Sequence, residues 1–179
     1  MVIEMNWMWR RGRGRRVKNV GGLKVAARGG REMVVTREFN APRRLVFDAL
    51  TTPALVKKWL LGPEGWSMPV CEIDLRVGGK YRYVWRRDST GKEMGVSGDY
   101  REIVKGERIV CTELFDDAWY SGEALLTTTL EESGGKTTMT TVILYESREA
   151  RDGVFEKSGM ESGVAVSYDR LEELVAKQS

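Results

Sequence analysis

The stretch REARDGVFEKSGMESGVAVSYDRLEELVAK, residues 148–177, constrains the fold more than any other part of the chain. Met160, Val164, Tyr168, Leu171 and Val175 recur at helical spacing and therefore line one face, while Asp169, Arg170, Glu172 and Glu173 fall on the other. The segment predicts one long amphipathic helix whose apolar stripe must be covered by another element. Gly159 and Gly163 stand in its N-terminal half, and each glycine inside a helix costs about 1 kcal/mol relative to alanine. Two readings of that cost stand. Glycine lets a helix backbone approach a sheet closely, and it also leaves room for a ligand.

The rest of the chain supplies the cover. Leu23 to Ala26 and the run EMVVTREF ending at Phe39 are strand-like. Pro42 then opens a segment with Leu45, Val46, Ala49 and Leu50 at helical spacing, and Thr52-Pro53 opens a second with Leu55, Val56, Trp59 and Leu60. From Ser67 to Tyr145 strand-like runs alternate with turn signals at Gly78-Gly79, Asp88 to Gly91, Lys105-Gly106 and Ser133 to Gly135, the pattern of an antiparallel meander. With the N-terminal run, seven main strands are expected around one helix, in a single domain over residues 23–179. In the run KYRYVWRR, Tyr81, Tyr83 and Trp85 share a face by alternation. Gly98, Tyr100 and Glu102 share the next one, where Gly98 is expected to leave space beside Tyr100. Thr141 falls among the inward residues Met139, Ile143 and Tyr145 and brings a hydroxyl inside.

Composition narrows the chemistry. The chain has no histidine, which removes the commonest general base and transition-metal ligand and excludes Ser-His-Asp and Cys-His sites. Cys71 and Cys111 belong to no CxxC pair and read as buried thiols. No metal site, cofactor or catalytic constellation is recognised. The 179 residues contain no run of about 18 apolar residues, so no membrane span is expected. No secretory signal is read either, and a cytoplasmic location is expected. The net charge of +3 is unevenly spread, with eight basic residues against Glu4 alone in residues 1–30. Residues 1–22, with RRGRGRR, read as a basic, disordered tail that is dispensable for folding and recognises no specific nucleic acid.

The segments TREFNAPRRLVFDALTTPALVKKWL, DLRVGGKYRY, GDYREI, ERIVCTELF and SGMESGVAVSYDRLEEL, in this order, resemble the SRPBCC or START-like superfamily, in the branch similar to the activator of heat-shock protein ninety ATPase. The resemblance covers residues 31–177. It implies an α+β helix-grip fold, a curved seven-stranded antiparallel sheet around a long C-terminal helix, with two short helices after the first strand and a hydrophobic cavity inside. Where relatives often carry two tryptophans, this chain has Trp59-Leu60.

Trp59, Trp66, Tyr83, Trp85, Tyr100, Trp119, Tyr145, Met160, Val164 and Tyr168 form the expected ligand-binding set, because aromatic rings supply apolar area and Tyr and Trp add a polar handle. The expected ligand is a small hydrophobic, aromatic molecule. A cyclase- or dehydratase-like enzyme is the alternative, its proton carriers drawn from Tyr83, Tyr100, Tyr145, Glu102 and Glu123. A third reading, implied by the resemblance, is an interaction module that regulates a chaperone ATPase. Asp74 and Arg76 read as an ion pair that stabilises a turn.

Overall fold

The computed structural model describes residues 17–62, 64–118, 120, 122–157 and 159–178. The chain begins with the hairpin β1 (Val17–Val20) and β2 (Leu23–Arg28), followed by β3 (Glu32–Phe39) and the helices α1 (Arg43–Thr51) and α2 (Pro53–Trp59). Strands β4 (Trp66–Ile73), β5 (Lys80–Arg87), β6 (Glu93–Val104), β7 (Arg108–Phe115), β8 (Ala124–Ser133) and β9 (Lys136–Leu144) come next, then α3 (Arg148–Lys157) and α4 (Met160–Ala176). All strands join one antiparallel sheet in the order β1-β2-β3-β9-β8-β7-β6-β5-β4. The fold is α+β, with α4 packed on the sheet.

Three expectations are corrected. The sheet has nine strands and not seven, because β1 and β2 extend it beyond β3. The tail boundary at residues 22 and 23 moves accordingly, since Val17 to Val20 pair with Ala26 to Leu23 through a turn in which Gly21 and Gly22 both take positive φ. Residues 1–16 of the expected tail lie outside the described residues. Finally, the C-terminal stretch is two helices and not one. Gly159, at φ 62°, is the N-cap of α4, so it ends one helix and starts another instead of weakening a helix interior.

The two short helices form as their sequence dictates. Thr52 is extended and serves both as the C-cap of α1 and as the N-cap of α2, with Pro53 in the first turn, where the missing N–H costs nothing. The core they complete has two main parts. Phe39, Val46, Tyr81, Tyr100, Leu130, Met139, Leu171 and Val175 pack around the second half of α4. Leu23, Met33, Ile143, Tyr145, Val154, Phe155 and Ala165 pack around its first half and α3. Tyr168 touches both parts. Leu171 and Val175 have no exposed surface, whereas Met160, Val164 and Tyr168, on the same stripe, are only partly buried.

Polar contacts fix α4 along its flanks. Lys18 of β1 meets Glu161 at 2.8 Å, Arg37 of β3 meets Asp169 at 2.7 Å, and the Asn40 side chain donates to Glu172 at 3.0 Å. On the opposite side the Gly62 N–H donates to Ser167 Oγ at 2.9 Å and Arg170 donates to the Gly62 carbonyl. The sheet ends at β4, where Pro69 lacks an N–H and the pairing register with β5 shifts between Ser67 and Val70.

Candidate functional site

Alternation along β5 sends Tyr81, Tyr83 and Trp85 to the inner face, where they form a chain of rings with Tyr100 of β6. Ring centroids are 5.0 Å apart for Tyr81 and Tyr83, 5.7 Å for Tyr81 and Tyr100, and 6.1 Å for Tyr83 and Trp85. Much of their polarity is spent inside the protein. Tyr81 donates to the Thr112 carbonyl at 2.8 Å, Trp85 Nε1 to the Leu60 carbonyl at 2.6 Å, and Trp59 Nε1 to the Ala49 carbonyl at 2.9 Å. Tyr83 and Tyr100 hydrogen-bond to each other.

The ten expected residues do not form one group. Trp59 of α2 and Tyr168 of α4 pack with Tyr83, Trp85 and Tyr100 in one part of the core, with Trp59 and Tyr168 centroids 5.9 Å apart. Tyr145, Met160 and Val164 line the other, and Tyr168 connects the two. Trp66 opens the edge strand β4 opposite Arg87 and belongs to neither part. Trp119 lies outside the described residues. Space beside Tyr100 at Gly98 is a further correction: a β-carbon there would overlap the Thr112 carbonyl oxygen and lie 2.6 Å from the Tyr81 ring. Glycine at this position lets the Tyr81 ring and the β7 backbone close in.

The expected acids also change place. The β6–β7 register shifts between Tyr100 and Glu102, so Ile103 takes the inward position and Glu102 turns out to an ion pair with Arg108 at 3.3 Å. Glu123 is exposed as well. The acid that faces inward from the described strands is Glu113. On β7 it shares a face with Ile109, Cys111 and Phe115, all of which pack on the core. Its signal was present in ERIVCTELF, where Glu113 alternates in step with Ile109, Cys111 and Phe115. Asp74 and Arg76 remain a turn pair at 2.9 Å, with both side chains exposed.

The residues flanking Glu113 on the neighbouring strands are small. Ala124 of β8 is its direct partner, and the pairs Ser97 with Leu114 and Tyr100 with Cys111 bring Gly98 of β6 alongside it. Around the carboxylate stand Tyr81, Tyr120, Tyr145 and Tyr168, each of whose phenols is pushed upward first by burial and further by the charge of Glu113. The Glu113 carboxyl is itself raised from 4.5 to about 7. Desolvation is the cause, and among the described residues no cation or hydrogen-bond donor offsets it. Burial and the Glu113 charge also raise the Cys111 thiol to about 12, so it is a thiol and not a thiolate at neutral pH. Tyr120 and Tyr145 rings meet edge to face at 5.1 Å, and the buried Tyr120 hydroxyl has no hydrogen-bond partner among the described residues. Thr128 and Thr141 hydroxyls are 2.9 Å apart, and Thr141 also bonds Tyr168.

A helix held against one antiparallel sheet, with rings and one acid facing it, defines the helix-grip class. The family model described as Activator of Hsp90 ATPase homolog 1-like protein matches residues 40–176, and the chain belongs to that family. A crystal structure of a protein from Rhodobacter sphaeroides superposes with a TM-score of 0.79 at 28% identity, covering 87% of this chain and 99% of that one. A protein from Chromobacterium violaceum is 30% identical, with a TM-score of 0.69 and coverage of 81% and 96%. One from Nitrosomonas europaea is 27% identical, with a TM-score of 0.70 and coverage of 83% and 96%. No curated protein matches. Among the described residues, no helix is long and apolar enough to cross a membrane, and no group of acids and cysteines could hold a metal.

Proposed function

We propose that the chain binds a small, largely apolar, aromatic molecule between the inner face of the sheet and the first half of α4. The observation that carries this reading is the state of Glu113. Protein crowds it enough to raise its carboxyl to about 7, yet it keeps partial access for water, as a group facing an enclosed space does. Cys111, Leu126, Tyr83 and Tyr168, and Thr128 beside the Thr141 that bonds Tyr168, are likewise only partly buried, although all face the helix side. A sealed core would bury them. The two free cysteines suit a reducing, cytoplasmic setting.

Native mass spectrometry of the freshly purified protein, together with uptake of an environment-sensitive apolar dye, tests the reading. Gly163→Leu adds a side chain one turn from Met160 on the same helix face and is expected to abolish dye uptake in a folded protein. If the space is instead closed, leucine overpacks it at a cost of roughly 1–3 kcal/mol. A strongly destabilised variant, or a wild-type protein that takes up no dye, removes the reading.

Two further readings rest on specific observations. A carboxyl titrating at about 7 suits a proton carrier, so a cyclase or dehydratase would use Glu113, and conversion of the retained molecule rather than its release intact would show it. The description of the matching family also supports regulation of a chaperone ATPase, which co-purification with an Hsp90-type chaperone would reveal.

A further inference from the structure

Resting on the ligand-binding reading, two polar groups of the site need a partner that the described residues do not supply. Among the described residues the Glu113 carboxylate faces inward without a cation or donor, and the Tyr120 hydroxyl is buried and unpaired. Leaving an ionised carboxylate unpaired in such a place is costly, and leaving a buried hydroxyl unbonded adds to that cost.

The charged groups nearby are committed elsewhere. Arg37, on β3, is held by Asp169 of α4 and by the Gly21 carbonyl, and Lys18, on β1, by Glu161 of α4 and the Phe155 carbonyl. The titratable groups that face Glu113 are Cys111 on its own strand, Tyr81 on β5, Tyr120 before β8, Tyr145 after β9 and Tyr168 on α4. None of them is positive. Phenol rings present a negative face, which attracts a cation when desolvated.

We propose that the pocket takes an organic cation, an amine with an aromatic body, whose ammonium sits between the Glu113 carboxylate and the Tyr120 hydroxyl among the tyrosine rings. An ammonium carries three donors and no acceptor, which matches a carboxylate and a phenol oxygen. A neutral alcohol has one donor and leaves the charge unpaired. An anion meets Glu113 as a like charge.

Isothermal titration with tryptamine, with the neutral alcohol of the same shape (indole-3-ethanol) and with indole-3-acetate separates these at about pH 8, where Glu113 is ionised and tryptamine is still protonated. The expected order is amine, then alcohol, then acid, with about tenfold or more between the first two. Glu113→Gln, which keeps the shape, is expected to bring amine and alcohol to within about threefold, and Tyr120→Phe to weaken the amine several-fold. In the wild type, amine affinity should rise between about pH 6 and 8 as Glu113 ionises, and in Glu113→Gln it should stay flat. Wild-type protein that takes up the apolar dye but binds tryptamine no better than the alcohol, or not at all, overturns the inference and leaves the apolar pocket standing. Failure of dye uptake itself removes both.

Discussion

Gly98 and Tyr81 share one volume: the tyrosine ring lies 2.6 Å from where a β-carbon at residue 98 would be, and its hydroxyl is held by the Thr112 carbonyl of the next strand. The pair locks β5, β6 and β7 together at the edge of the site.

Gly98→Ala should therefore destabilise the protein by roughly 1–3 kcal/mol or more, because the clash includes the Thr112 backbone and not only a mobile ring. Thermal unfolding measures it. A loss below about 0.5 kcal/mol, the range of an ordinary surface substitution, would show that the strands separate easily at this point.

Leu171→Ala is expected to cost roughly 2–5 kcal/mol, the range for truncating a fully buried leucine. It lies in the half of α4 that packs on Phe39, Val46 and Met139. A denaturant midpoint close to that of the wild type would refute this packing.

Removing β1 should be felt. A chain starting at Leu23 loses the pairing of Val17 to Val20 with β2, the Lys18–Glu161 bridge, and the Lys18 ammonium lying 4.7 Å from the centre of the Phe155 ring. Compared with a chain starting at Val17, it should melt about 3–6 °C lower, the equivalent of about 1–2 kcal/mol in a protein of this size. Equal melting temperatures would mean that the hairpin adds nothing to α4.

Stability should fall as pH rises toward neutrality. Unfolded, Glu113 ionises near 4.5; folded, it keeps its proton to about 7. Folding therefore takes up a proton between those values, so the contribution is intact below the unfolded value and is lost progressively up to the folded one. At about pH 8 the deficit is up to roughly 3 kcal/mol. Glu113→Gln should thus melt several degrees above the wild type at about pH 8 and draw level near pH 4. A difference independent of pH would exclude Glu113 as its source.

Much of the architecture was legible from local rules. Pro42 and Thr52-Pro53 start the two helices where expected, and the two-residue period of KYRYVWRR places three rings on one face. What local rules could not supply was non-local. Whether VKNV pairs with LKVAAR depends on contacts distant in sequence, Lys18 with Glu161 of α4 and Arg37 of β3 with the Gly21 carbonyl in the turn. The glycine in KSGM gave no sign, in spacing alone, that it adopts positive φ and divides the stretch into two helices. The period-two count along β6 places Glu102 inward and fails at the bulge, beyond which Glu102 faces out. On the unbulged β7 the same count places Glu113 inward, but an acid among apolar neighbours carries no local signal of burial.

The ending of the sheet at β4 bears on how copies of the chain behave when crowded together. An open strand edge is a template on which another molecule can add its own backbone. Here the template is broken: Pro69 offers no amide hydrogen, and the register shift beside it throws the spacing of the others out of step. A second copy approaching along β4 finds no continuous ladder to join, so this border resists fibre-like growth without any guarding partner.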